Sequence, residues 1–409
     1  MTRTHHLPLL PVMLSMLSVL ACGSVDELPE DDGPCAGPPA IAGAPTLSGP
    51  CVGGVAEPSR LVVTTTDFAT GAVSLVDART GEVTPDLALA STDAKPYYHE
   101  DRVFVVNRYM FDALDVLDAD DELALSGQVG IVTDGAPSAN PHAIAFGPDG
   151  RAYVSLFGAA ELQVLDVEDP AAMRVEEPID LCPVADADGS PEASLLIRCG
   201  DTLFVSIERL DRAHGFALTE DQDALVAVDL TSGRLHDLDP EAAGVQPMPL
   251  LGPWAKQWRL DPRDPDGHTI YVLSSSLERV DLAAGTSEWA IDPEQLAELD
   301  LGDYKLPQAF DIDADGRHAY LASYTADFTE VLLLRADLEA GTPPEVFAGG
   351  LQAVEQTLEV VGDTLWFGDR SHAAAGMRAW DLATDPPTAK FAGKPLSTGL
   401  APYAVVAIP

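Results

Sequence analysis

The sequence predicts an all-β protein: a seven-bladed β-propeller closed by its last strand, preceded by an export signal and a tether. Three observations predict it. A short β-rich strand recurs seven times after Arg60. A second strand that ends in aspartate follows each copy. One further strand copy stands at the very C-terminus, out of sequence order. Repetition at long period, with apolar residues alternating at period two, is a signature of propellers rather than helical solenoids.

Residues 1–21 read as an export signal. Arg3 is the one firm positive charge before the apolar run Leu9–Leu20, which is too short to span a bilayer. Val19-Leu20-Ala21-Cys22 follows and resembles the lipobox of bacterial lipoproteins. That resemblance implies cleavage before Cys22 and a lipid on its sulfur. Residues 22–58 are rich in Pro, Gly and Ala without periodic pattern and are expected to be a flexible tether. Residues 59–409 are expected to form the propeller.

The four remaining cysteines, Cys35, Cys51, Cys182 and Cys199, are even in number, which suits disulfides in an exported chain. Of three connectivities, the local pairs Cys35–Cys51 and Cys182–Cys199 are expected. Neither has CxxC spacing or a histidine cluster nearby, so no metal site is assigned to them.

Within the propeller, the recurring strand appears as Leu61-Val-Val-Thr, Val103-Phe-Val-Val, Ala152-Tyr-Val-Ser, Leu203-Phe-Val-Ser, Ile270-Tyr-Val-Leu, Ala319-Tyr-Leu-Ala and Leu365-Trp-Phe-Gly. β-branched and aromatic residues in such short runs favour strands. The strand after it ends at Asp77, Asp118, Asp166, Asp229, Asp281, Asp337 and Asp381. Aspartate there can accept backbone amides and start a turn. An earlier strand includes His142-Ala-Ile-Ala-Phe and Ala309-Phe-Asp-Ile, and its out-of-order copy is Tyr403-Ala-Val-Val-Ala-Ile408. If that copy completes the first blade, the ring closes and no sheet edge stays open.

The segments Val103-Phe-Val-Val-Asn-Arg, Asn140-Pro-His-Ala-Ile-Ala and Leu203-Phe-Val-Ser-Ile-Glu-Arg-Leu-Asp carry a resemblance to YVTN-type and lactonase-like seven-bladed propellers. The chain resembles secreted propeller lipoproteins over about residues 60–409. The resemblance implies fold and leaves activity open, because propellers host unrelated chemistries.

Blade geometry alone selects a candidate site. The loops between strands d and a, and between b and c, share one face around the channel mouth. Residues entering strand a are Tyr403, Tyr97, His142, Glu192, Gln257, Gln308 and Gln356, and all are polar or polar-tipped. Residues leaving strand b are Asn107, Arg108, Glu208, Arg209, Asp369 and Arg370. The longest insertions, Asp211–Asp223 and the stretches around Asp169–Ser190 and Asp237–Trp254, reach the same face, where long loops on a rigid ring carry function.

Two functions compete at that mouth. The first is a binding or scaffold protein that presents its top face to a protein or small ligand. The second is a lactonase-like hydrolase in which His142 and Glu192 form an acid/base pair and Arg108 or Arg370 holds an anion. A metal-dependent propeller is a third reading. The EF-hand-like run Asp311-Ile-Asp313-Ala-Asp315-Gly316 is read as a hairpin turn, since the twelfth position is Ala322 rather than glutamate. No cofactor is assigned.

Charge narrows the partners. The chain has 66 acidic and 23 basic residues, a formal net charge of −43. Such a surface repels phosphate backbones, so nucleic acid is not an expected partner. The lipid on Cys22 makes the membrane a partner, and a cell-envelope location is expected. Gly23 in place of a retention aspartate favours the outer membrane or the cell surface.

Overall fold

A computed structural model describes residues 38–55, 57–132, 138–219, 222–297, 299, 307–325, 327–353 and 356–409. Residues 37–409 cluster as one compact unit. Cys22, Cys35 and the signal lie outside the described residues.

The fold is an all-β propeller. Six sheets have the plain form of a blade, an antiparallel meander of four strands, with one short extra strand in one of them. They cover residues 60–90, 95–130, 141–180, 257–291, 307–351 and 358–389. The seventh predicted blade is not a plain one. Its four strands, Ala193–Cys199, Thr202–Ile207, Ala224–Asp229 and Arg234–Asp237, belong to a seven-stranded sheet. That sheet also takes in Met248–Pro249, Ile41–Ala42 and Cys51–Val52.

The C-terminal copy goes where the out-of-order pattern requires. Pro402–Ile408 pairs antiparallel with Arg60–Thr66, with Val406 opposite Val62 and Val405 opposite Val63. The first sheet is thereby built from both ends of the propeller. Each innermost strand then packs on the next, and apolar clusters fill the spaces between sheets. One joins Leu196, Val205 and Val226 to Tyr153 and Val164. Another joins Leu61 and Val405 to Trp366 and Met377.

The repeated aspartates hold the turns that follow the third strands. Asp77 Oδ1 accepts the amides of Arg79 and Thr80 at 2.9 and 2.6 Å. Asp118, Asp166, Asp229, Asp281, Asp337 and Asp381 each accept at least one amide in the same way. The repeat is therefore a turn device, and its carboxylates are engaged away from the mouth.

Two expectations are corrected. The tether does not run to residue 58. Arg234 donates to the carbonyls of Pro39 and Ala40, and Ile41–Ala42 pairs in parallel with Arg234–Asp237. Cys51–Val52 pairs with the end of Ala193–Cys199. Gly53 then passes so close to the Trp258 ring that a Cβ would stand 2.5 Å from it, so only glycine fits. A Pro/Gly-rich composition suits a strap laid over a surface as well as a flexible coil, which is why composition alone misled.

The disulfide pairing is not local either. Cys51 bonds to Cys199, 148 residues away, and Cys182 is also disulfide-bonded. Both predicted pairs are excluded by the first bond. Sequence distance ranks loops, but the strap puts Cys51 opposite Cys199 in the strand register.

Closing so long a loop removes much unfolded-chain entropy, about 5 kcal/mol in the simplest chain model. Replacing Cys51 and Cys199 together by alanine is expected to lower the unfolding free energy by about 3–5 kcal/mol in denaturant titration. An unchanged midpoint would mean that the strap adds nothing to stability.

Candidate functional site

The mouth residues fall into two groups once their partners are known. The larger group is spent on joining blades. Tyr97 donates its hydroxyl to the His142 carbonyl at 3.0 Å. Gln257 Oε1 accepts the Phe310 amide at 3.0 Å. The Gln356 side chain donates to the Lys256 carbonyl across the ring, and its own carbonyl accepts the Val405 amide. Arg370 donates to the carbonyls of Thr66, Ala401 and Pro402 and lies over the Phe68 ring. Tyr403 is buried, and Gln308 is half-buried at the start of Pro307–Ile312. Asp369 accepts the Gln352 and Ser371 amides. These residues enter a mouth because strands must be tied there, and most of their polarity is consumed in tying them.

Asn107 is engaged as well. Its carbonyl oxygen accepts the Ser91 amide and its amide nitrogen donates to Asp115. It belongs to a cleft between the 60–90 and 95–130 sheets.

A smaller group remains, contributed by the 95–130, 141–180 and 193–237 sheets. Arg108 Nη2 lies 3.2 Å from His142 Nε2. A guanidinium only donates, so Nε2 accepts and the imidazole carries its proton on Nδ1. Removal from water, with Arg108 and Lys95 nearby, holds the His142 pKa well below the usual histidine value. The ring stacks on Phe157, 4.4 Å between centroids. Lys95 is 9% exposed, a buried ammonium in a chain with only five lysines.

Lys95 is also near the Glu208 carboxyl. Burial, aided by Asp223 and Glu192, pushes Glu208 up to about 8 against the pull of Lys95. Burial, with Glu278 nearby, pushes Asp223 up to about 7. Near neutral pH Glu208 is mostly protonated and therefore a donor.

Glu192 is taken out of the predicted acid/base pair. One oxygen sits 2.5 Å from Arg212 Nε and the other accepts the Leu210 amide at 3.0 Å. Among the described residues no hydrogen bond joins it to His142. Burial raises its pKa even so. Arg212 also donates to the Phe157 carbonyl and the Ser190 hydroxyl. The insertion that carries it is a small hairpin, Leu210–Asp211 against Ala217–Leu218, and its Phe216 leans on Phe157 at 5.9 Å. The insertion therefore sits over the aromatic ring that backs His142. Arg209 is fixed on the Val184 carbonyl, and exposed His214 bonds Asp211 at 2.6 Å. The other two long stretches are less than insertions, because Arg174–Val175, Ile179–Asp180 and Met248–Pro249 are pieces of outer strand.

Beneath the mouth the channel is crossed by charge. Arg259 donates to Asp311 and to Glu359, both at 2.8 Å. The strap residues 52–55 line the same channel of about 380 Å³ as Tyr97, Leu196 and Trp258. Asp313, Asp315 and His318 bring ligand-type atoms together, but in the hairpin after Pro307–Ile312, where Asp313 binds the His318 amide and ring and Asp315 accepts the Arg317 amide.

Sequence reasoning missed Lys95 and Asp223. Lys95 was readable as one of five lysines standing at the start of a first strand. Nothing in the sequence marks Asp223, whose carboxylate accepts the Ala255 amide from the segment leading into the 257–291 sheet.

No protein-family model matches the sequence, and no curated protein sequence matches it. Solved structures match its fold. The periplasmic gluconolactonase of Pseudomonas aeruginosa is 16% identical, with 86% of this chain and 99% of that chain covered and a TM-score of 0.55. A protein from Lactobacillus plantarum is 12% identical over 86% and 100%, TM-score 0.53. The Swd1 β-propeller domain of Myceliophteria thermophila is 11% identical over 81% and 98%, TM-score 0.52. At these identities the likeness is one of fold.

The shifted groups set opposite pH limits. Glu208 and Asp223 have folded pKa values above their unfolded ones, so they cost stability as pH rises from about 4 towards 8. His142 has a folded pKa below its unfolded one, so it costs stability as pH falls below about 6.5. Glu208→Gln is expected to flatten the fall in melting temperature between about pH 4.5 and 8 and to leave the profile below about pH 4 unchanged. An identical profile in the variant would contradict the assignment of a raised pKa to Glu208.

Proposed function

We propose that the protein is a lipid-anchored propeller of the cell envelope that binds a small anionic ligand, such as a hydroxy acid, at its mouth. We read the ring as seven-bladed, taking the 193–237 strands as the seventh blade. Support for that count is that each neighbouring pair of sheets has its own apolar cluster, seven among the described residues.

One observation carries the ligand reading. In a chain of net charge −43, one sector of the mouth brings donors together: the Lys95 ammonium, the Arg108 guanidinium, whose Nε also stands 3.9 Å from Asp93, and a Glu208 carboxyl that is mostly protonated near neutral pH. Charged donors in a partly dry site bind carboxylates better than in water. The hairpin with Phe216 stands beside them as a wall. The lipid anchor rests on Ala21-Cys22, and it makes the membrane a partner through that lipid, with the outer membrane or cell surface as the favoured place.

A second reading, hydrolysis of a lactone at the same mouth, is favoured by Glu208. A carboxyl with a pKa of about 8 is suited to give a proton at neutral pH, and Lys95 and Arg108 would hold the oxyanion. The His142–Glu192 pair is not part of this reading. The fold likeness to a gluconolactonase adds a substrate to try.

Calorimetric titration with gluconate at pH 6.5 is expected to show binding that Lys95→Met or Arg108→Met weakens about tenfold or more. Binding unchanged in both variants would overturn the site. Hydrolysis of glucono-δ-lactone abolished by Glu208→Gln would make the mouth catalytic; retained gluconate binding without hydrolysis would leave it a binding site. Cys22→Ser is expected to move the protein from the membrane fraction to the soluble fraction, and persistence at the membrane would contradict a lipid anchor.

A further inference from the structure

A second cleft lies between the 60–90 and 95–130 sheets, lined by their d–a and b–c loops. Its volume is about 890 Å³, within the range of small-molecule sites. We propose that this cleft binds a small organic cation with an apolar body, an amine or ammonium compound. The proposal is independent of the anion site.

Two features of the cleft lead to it. The first is its floor. Asp115 is 7% exposed and accepts hydrogen bonds from Asn107 at 2.8 Å and from Gln128 at 2.6 Å. Asp112 accepts from the Ser138 hydroxyl and the amides of Ala139 and Asn140. Every one of these donors is neutral. Among the described residues no lysine, arginine or histidine pairs with either carboxylate. A buried carboxylate is ordinarily matched by a cation, and here no described residue supplies the matching charge. Asp261, Asp311 and Glu192, also buried, hold arginines, whereas buried Glu278 is, like Asp115, met by neutral donors.

The second feature is the rim. Leu89 and Val132 are 85% and 78% exposed, and Met110 and Phe111 are exposed beside them. Four large apolar side chains around one opening are unusual on a surface dominated by acids. Met110 also holds a left-handed backbone, φ +71°, a conformation that costs an L-residue about 1 kcal/mol. Glycine would sit there without strain, yet a long apolar side chain does. The rim suits an apolar body and the floor suits its positive head.

The probe is 2-phenylethylamine, compared by calorimetry with the neutral 2-phenylethanol and the anionic phenylacetate. The full soluble chain is used at about 0.15 M salt, so that diffuse attraction to the acidic surface is screened. The expected result is binding of the amine alone, weakened about tenfold by Asp115→Asn. Phe111→Ala, at an exposed position that leaves the fold intact, is expected to weaken it about threefold. Amine binding that survives both substitutions, equal binding of the alcohol, or no binding up to about 10 mM would overturn the proposal. If Asp115→Asn fails to fold, the Phe111→Ala titration decides alone.

Discussion

Pairing of Pro402–Ile408 with Arg60–Thr66 is the contact on which the rest of the molecule depends. An open row of sheets would leave two edges and two unmatched apolar faces. Joining the ends makes every sheet an inner member of a ring, with Val63 and Val405 side by side under Trp366. The first strands then converge on an axis, and everything chemical in the structure follows from that convergence. Lys95, His142 and Glu208 come from three sheets and are far apart in sequence. Packing of three neighbouring sheets side by side brings them to one place.

The sequence was most informative where a repeat was present. Seven aspartates marked seven third strands, and the structure gives each a turn of accepted amides. The C-terminal latch was readable because its copy was out of order. Where the repeat was decorated, reading failed. The strands of 193–237 lie in a seven-stranded sheet because two strands from residues 41–52 and Met248–Pro249 add to it, and nothing periodic in those stretches announces pairing. Disulfide connectivity failed for the same reason, since it depends on where the strap lies.

At the mouth, polarity alone was a poor guide. Gln257, Gln356 and Arg370 are polar because inner strands present carbonyls and amides that need partners. Those residues tie blade to blade. The chemically distinct positions are those whose charge is held against its environment: a buried lysine, a neutral histidine beside an arginine, and a carboxyl raised by burial. Burial and partners are tertiary facts. A list of polar positions cannot rank them, and Glu192 shows how a plausible acid becomes one half of a structural ion pair with Arg212.

The account of the mouth rests on the protonation of Glu208. A protonated carboxyl beside Lys95 and Arg108 makes a donor site for anions; an ionised one would cancel that charge and repel them. The direct measurement is the titration of the Glu208 side-chain carbon by 13C NMR, assigned with the Glu208→Gln variant. The structure predicts a midpoint near 8. A midpoint below about 5, in the ordinary glutamate range, would contradict the anion site at its base.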